Sequence, residues 1–173
     1  MESLNQNIFL TINSYVGESV VNDFIMISLA KYTPYIFIIL LVYLWFFHKK
    51  NEALYSTYSA ILGIAINFFI GLFYFHPRPF MDNLGTSLLF HTAENSFPSD
   101  HTTFVFSISL MLLSLKSTRN LGILMTLWAF LSGVGRVYCG VHYPFDILGS
   151  FVVAFISVII ILNLVKGEEK LLF

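Results

Sequence analysis

The chain has 173 residues, 57% of them hydrophobic and 11% charged, with one cysteine and a formal net charge of −1. So apolar a composition excludes an ordinary soluble domain, and the lack of a basic excess excludes a nucleic-acid binder, which must neutralise phosphates. A single cysteine excludes an intrachain disulfide and a thiolate zinc cluster.

What remains is a membrane protein. The length and the absence of period-two alternation predict one domain over residues 1–173, an all-α polytopic transmembrane bundle of five to six helices. No basic stretch leads into an apolar core at the N-terminus, so no cleaved signal peptide is read there. Residues 4–16 carry Leu4, Ile8, Phe9, Ile12, Tyr15 and Val16 at helical spacing among asparagines and hydroxyl residues. That pattern predicts an amphipathic helix within residues 1–20, either lying in the membrane interface or packed on the bundle.

Residues 24–47 predict the first span, kinked at Pro34 or preceded there by a short helix, and closing on His48, Lys49 and Lys50. Residues 53–75 predict the second, stopped by His76-Pro77-Arg78-Pro79. Residues 80–98 form the longest polar loop. The next helix starts at Ser99 to His101 and ends near Leu115; about 15 residues rising 1.5 Å each reach only about 22 Å, which sinks His101 below the headgroups. After a basic turn, residues 121–137 and 147–165 predict two more spans, with Pro144 in the first turn of the last. A polar tail follows at 166–170.

If the spans alternate, Lys49, Lys50, Lys116, Arg119, Lys166 and Lys170 share one face, and Lys31, Arg78 and Arg136 the other. The basic face is cytoplasmic, which turns Arg78, His101, Arg136, His142 and Asp146 outward. Three polar clusters, distant in sequence, are thereby expected to meet at one membrane–water interface.

Their chemistry suits phosphate. Arg78 and Arg136 can grip non-bridging oxygens, and Ser99 with the free N–H groups of a helix start adds donors. Two histidines divide the remaining labour. His142 is assigned as nucleophile because Asp146 lies one helical turn beyond it to orient the imidazole, and His101 as general acid. Taken singly, an Arg-Pro or a Pro-Ser-X-His is more often structural. Two histidines and an aspartate could also ligate zinc, but two arginines sit poorly beside a dication. His76 and His91 are read as loop or interface residues, His48 as a basic membrane flank, and Cys139 as packing. Tyr43, Trp45, Trp128 and Tyr138 are read as interface anchors.

Arg78-Pro79, Pro98-Ser99-Asp100-His101, and Gly135-Arg136 with His142 and Asp146 resemble, in order, the three signature motifs of the type 2 phosphatidic-acid phosphatase family, over roughly residues 53–165. The resemblance implies a helical bundle and hydrolysis through a phosphohistidine, without metal or other cofactor. It agrees with the roles assigned above. Three positions depart from the family pattern: Gly71 replaces a lysine, Asp100 a glycine and Gly135 a serine. Without the lysine, one phosphate contact has to come from elsewhere, such as the 80–98 loop. Asp100 is counted with the phosphate-binding group; it and Glu94 either steer a histidine or reject wrong head groups.

The aspartate at 100, the missing lysine, the small size and the outward site resemble the bacterial bacitracin-resistance group, the undecaprenyl-diphosphate phosphatases. That implies a polyprenyl diphosphate substrate in the bilayer, recycling of the cell-wall carrier lipid, bacitracin tolerance, and a bacterial plasma-membrane location with an extracytoplasmic site. The rival readings are a phosphatase of phosphatidate or phosphatidylglycerol phosphate, a transporter component, and a scaffold with a degenerate site. Oligomeric state is not legible.

Overall fold

A computed structural model of the chain describes residues 2–47 and 49–165. The His48 flank and the tail at 166–170 lie outside the described residues. Six α-helices follow one another there: α1 (Glu2–Asn13), α2 (Val20–Phe46), α3 (Lys50–Phe73), α4 (Asp100–Ser114), α5 (Arg119–Tyr138) and α6 (Pro144–Leu164), with a 3-10 turn at Pro79–Asp82. The fold is all-helical, and α2, α3, α5 and α6 are long and apolar enough to cross a membrane.

The short helix α4 is the hub. It touches α2, α3, α5 and α6, and Val105, Phe106, Ile108, Met111 and Leu112 are fully buried. A helix that is apolar all round has to be surrounded. Because lipid tails are as apolar as leucine, helices in a bilayer associate through close packing rather than hydrophobic burial. Small residues permit it here. A Cβ on Gly63 of α3 would stand 2.7 Å from Ser107 Oγ of α4, and Ser157 Oγ of α6 lies 3.0 Å from Ser59 Oγ and 3.3 Å from Ser107 Oγ.

The two ends of the bundle are tied differently. At one, Ser117 donates to Glu52 (2.6 Å), which also pairs with Lys49 (3.3 Å), joining the α2–α3 and α4–α5 turns. At the other, Ser150 Oγ lies 2.9 Å from Ser99 O and 2.8 Å from Asp146 O, locking the start of α4 to the first turn of α6. All the motif residues belong to this second end.

Two expectations are corrected. Helix α2 runs unbroken through Pro34. The turn before the proline is held from the side: Thr33 and Ser132 both donate to Leu29 O (2.7 and 3.0 Å), and the Trp128 indole donates to Thr33 Oγ1 (3.1 Å). Trp128 therefore also ties α5 to α2. Tyr138 is not an interface anchor, since it is buried and its hydroxyl reaches Tyr15 O (2.8 Å) and Asp23 Oδ1 (2.6 Å).

Of the two readings of α1, packing on the bundle holds: the helix lies against α5 and α6. Its buried stripe is Asn5, Phe9 and Asn13, at four-residue spacing. Asparagines face inward because backbone groups await them. Asn5 Oδ1 accepts the Phe145 N–H (3.0 Å), a free donor of the first turn of α6. Asn13 Nδ2 lies within reach of Thr86 O (2.9 Å) and Tyr138 O (2.8 Å), and its Oδ1 accepts from Thr86 N (2.7 Å). Asn13→Ala strands those groups and is expected to destabilise the protein by about 1–3 kcal/mol. Thermal unfolding in detergent checks this; an unchanged midpoint would return α1 to the membrane surface.

Candidate active site

The turn from α5 to α6 sets the geometry. Gly140 takes φ +76°, and a Cβ there would fall 2.4 Å from Thr86 O, so glycine alone fits without displacing the loop. Pro144 opens α6, and Asp146 at its third position reaches back to accept the Tyr143 N–H (2.8 Å). A local helix-start motif thus fixes the carboxylate. His142 sits just before it, 2% exposed.

Both arginines converge on this imidazole. Arg78 Nη1 and Arg136 Nη2 each lie 3.1 Å from His142 Nε2. A guanidinium can only donate, so Nε2 must be the unprotonated nitrogen and Nδ1 carries the hydrogen. That hydrogen faces Ser96 Oγ at 3.2 Å and Asp146 Oδ2 at 3.4 Å, and Ser96 donates to the same carboxylate oxygen at 2.5 Å. Burial lowers the His142 pKa to about 3, with Arg136 and Arg78 adding to the effect against Asp146. The imidazole is neutral at physiological pH, its Nε2 lone pair turned toward two cations. This is the protonation state a nucleophile needs.

The other assigned residues surround it. Arg78 is further held by Val141 O (3.0 Å) and Asn95 O (3.2 Å). Ser99, at the N-cap of α4, is fully buried and its Oγ has no partner, leaving a donor free for an anion. His101, half-buried in the first turn of α4, has the Arg136 and Arg78 guanidinium groups and the His91 ring as neighbours. Asp100 is exposed, and its Oδ1 accepts from Asn67 Nδ2 (2.8 Å). What it can offer phosphate is its backbone N–H at the helix start, not its carboxylate. Cys139 is fully buried, and burial pushes its thiol up to about 12, as a packing role requires.

Sequence reasoning missed four residues. Ser96 stands between His142 and Asp146, 50 positions from the aspartate, and no local pattern marks it. His76, read as a loop residue, puts Nδ1 3.4 Å from Asp146 Oδ1, while its Nε2 lies 3.7 Å from Glu2 Oε1 of α1. Asp146, chiefly, pulls His76 above its ordinary pKa. His91, also read as loop or interface, has its ring centroid 6.4 Å from that of His142. Asn95 organises the loop: its Oδ1 accepts from His76 N (2.8 Å) and its Nδ2 donates to Tyr74 O (3.0 Å) and Phe97 O (2.9 Å). Gly71 faces this amide, a Cβ there meeting Asn95 Nδ2 at 3.4 Å.

A cavity of about 360 Å³ opens beside Arg78. Ile64, Phe68, Gly71 and Leu72 of α3 form one wall, and Glu94, Asn95, Pro98 and Asp100 the other. Phe68 and Leu72 are largely exposed on the outside of the bundle. The cavity therefore joins the apolar flank to a guanidinium.

The sequence profile of the PAP2 superfamily matches residues 52–170, which include Arg78, Ser99, His101, Arg136, His142 and Asp146. Undecaprenyl-diphosphatase BcrC of Bacillus subtilis (strain 168) is 36% identical over 156 residues, 88% of this chain and 80% of that protein. The bacitracin transport permease protein BcrC of Bacillus licheniformis is 30% identical over 164 residues, 91% of this chain and 79% of that protein. The crystal structure of Aquifex aeolicus LpxE superposes with a TM-score of 0.79 at 28% identity, covering 92% of this chain and 95% of that one. With its spans, its motifs and a similarity that runs through nearly the whole fold, this chain belongs to the PAP2 superfamily, as a membrane-embedded lipid phosphatase.

Proposed function

We propose that the protein hydrolyses undecaprenyl diphosphate to undecaprenyl phosphate and inorganic phosphate through a phosphohistidine on His142. The site faces the extracytoplasmic side of a bacterial plasma membrane, and recycling of the carrier lipid confers bacitracin tolerance. The observation that carries the substrate reading is the groove, whose apolar α3 wall leads from the lipid flank to Arg78. A polyprenyl chain stays in hydrocarbon there while its diphosphate meets the arginines. Similarity to an undecaprenyl-diphosphatase supports the same choice. Among the described residues Lys49, Lys116 and Arg119 line a cavity at the end that carries Glu52 and Ser117, and an excess of such residues marks the cytoplasmic face.

In the first step His142 Nε2 attacks the terminal phosphorus as the bond to the bridging oxygen breaks. Arg78, Arg136 and the start of α4 hold the equatorial oxygens, and His101, which takes up a proton when the bound diphosphate offsets its neighbouring arginines, gives the leaving oxygen that proton. The Nδ1 hydrogen stays with Ser96 and Asp146, which stabilise the positive charge on the phosphorylated ring. In the second step His101 takes a proton from water, whose oxygen attacks phosphorus, releasing phosphate and restoring the imidazole. The Nε2 lone pair faces two guanidinium groups, a setting that repels a dication, so no metal is required in this scheme.

Phosphate release by the purified protein in EDTA, from undecaprenyl diphosphate beside phosphatidate and phosphatidylglycerol phosphate, tests the reading. Preference for the polyprenyl diphosphate is expected, with no turnover by His142→Ala and about 100- to 10,000-fold slower turnover by His101→Ala. Preference for a glycerolipid would replace the substrate and keep the chemistry; activity that EDTA abolishes and zinc restores would overturn the metal-free scheme. Because its pKa is depressed, His142 should also remain the neutral Nδ1–H tautomer as pH falls from 8 to 5. Nitrogen-15 spectra of the ring report this, and a titration near 6.5 would contradict it.

A further inference from the structure

Two loop residues have no role in that scheme, yet they touch its site. Glu94 Oε1 lies 3.3 Å from His91 Nδ1 and 3.5 Å from Arg78 Nη2. One carboxylate oxygen thus bridges an imidazole and a guanidinium, loosely, without a well-formed hydrogen bond to either. The Glu94 side chain is more than half exposed, whereas His91 Nδ1 and Arg78 Nε are buried and otherwise without a partner. The anionic partner is the exchangeable one: it leaves to water at little cost, while the guanidinium and the imidazole stay behind, desolvated and facing the centre. His91 is also held close to His142, the attacking residue.

We propose that His91 is a diphosphate-binding residue and Glu94 its exchangeable place-holder, so that an oxygen of the entering diphosphate displaces Glu94 Oε1 from between His91 and Arg78. This rests on the phosphatase reading above and assigns the loop a part in it. Any condensed phosphate presents the same oxygens, whether it is lipid-linked or free.

The electrostatics give the proposal a signature. Around His91 stand Glu94 from its own loop, Arg78 from the segment after α3, Arg136 from α5, His142 from the α5–α6 turn and His101 from α4. Burial first, then Arg78 and Arg136, lower the His91 pKa, so the ring is neutral in the empty site at pH 7. A bound diphosphate offsets both arginines and raises it. Binding must then take up a proton, and affinity must increase as pH falls from 8 to 6.

Calorimetric titration of the full-length protein in detergent with inorganic pyrophosphate, at pH 6 and pH 8 and in buffers of different ionisation enthalpy, reads both quantities. Proton uptake is expected for the unmodified protein. His91→Gln, neutral at both pH values, should bind at least tenfold more weakly at pH 6 and lose its share of the uptake; Glu94→Gln should bind severalfold more tightly. Unchanged affinity and uptake in His91→Gln would overturn the proposal, as would weaker binding by Glu94→Gln. Turnover of undecaprenyl diphosphate by the same preparations separates the two readings. If the unmodified protein leaves that lipid intact while pyrophosphate binding depends on His91, the substrate assignment fails and the anion site stands.

Discussion

Two buried guanidinium groups share one imidazole nitrogen, and the rest of the structure answers to that constraint. Arg78 and Arg136 are 4% and 2% exposed, and their tips lie at most roughly 6 Å apart, across His142 Nε2. At an effective dielectric of about 20, two such charges repel by about 3 kcal/mol, before any cost of taking them out of water. No carboxylate forms an ion pair with Arg136 among the described residues, and Arg78 has only the loose contact with Glu94. The site is therefore short of negative charge. A phosphate group would supply what it lacks, with two or more charges and several acceptor oxygens, and in the proposed mechanism it meets the nitrogen that attacks it.

Holding such a pair in place requires a rigid frame, and helix ends provide it. The C-terminus of α5 carries Arg136, the N-terminus of α6 carries Asp146, and the N-terminus of α4 supplies Ser99 and His101. Ser150 ties the two N-termini together, and α1 closes the arrangement from outside. Asn5 satisfies the start of α6, Phe9 packs edge-on against Tyr143 at 5.3 Å, and Asn13 fastens the Thr86 loop to the end of α5. A segment that resembles a membrane-surface helix is thus part of the wall of the site. The same loop, pressed against Gly140, leads on to His91 and Glu94.

Much of this was legible because the decisive residues come in short local patterns. Proline after Arg78, serine and histidine at a helix start, and an arginine, histidine and aspartate spaced six and four residues apart say little singly, but together they mark one phosphate site. The spans were legible from length and hydropathy, and so was the proline start of α6 at Pro144, where Asp146 at the third position begins the helix before the apolar run does. Ser96 and His76 were not legible. Each meets Asp146 only through the fold, and one precedes a proline turn while the other follows a helix stop, where polar residues are expected for ordinary reasons. For α1 the choice between membrane surface and bundle was not legible: Phe9 and Ile12 do pack inward, but the partners of the inward asparagines are backbone groups that no sequence pattern displays.

The claim on which the account depends is that His142 Nε2 forms a bond to phosphorus. Rapid quenching of the protein with undecaprenyl diphosphate labelled in its terminal phosphate, followed by alkaline peptide mapping, tests it directly. The account expects an acid-labile, base-stable phosphoryl group on His142 that forms and decays at rates compatible with turnover. Label on another side chain, or none at any quench time while phosphate is released, would contradict it.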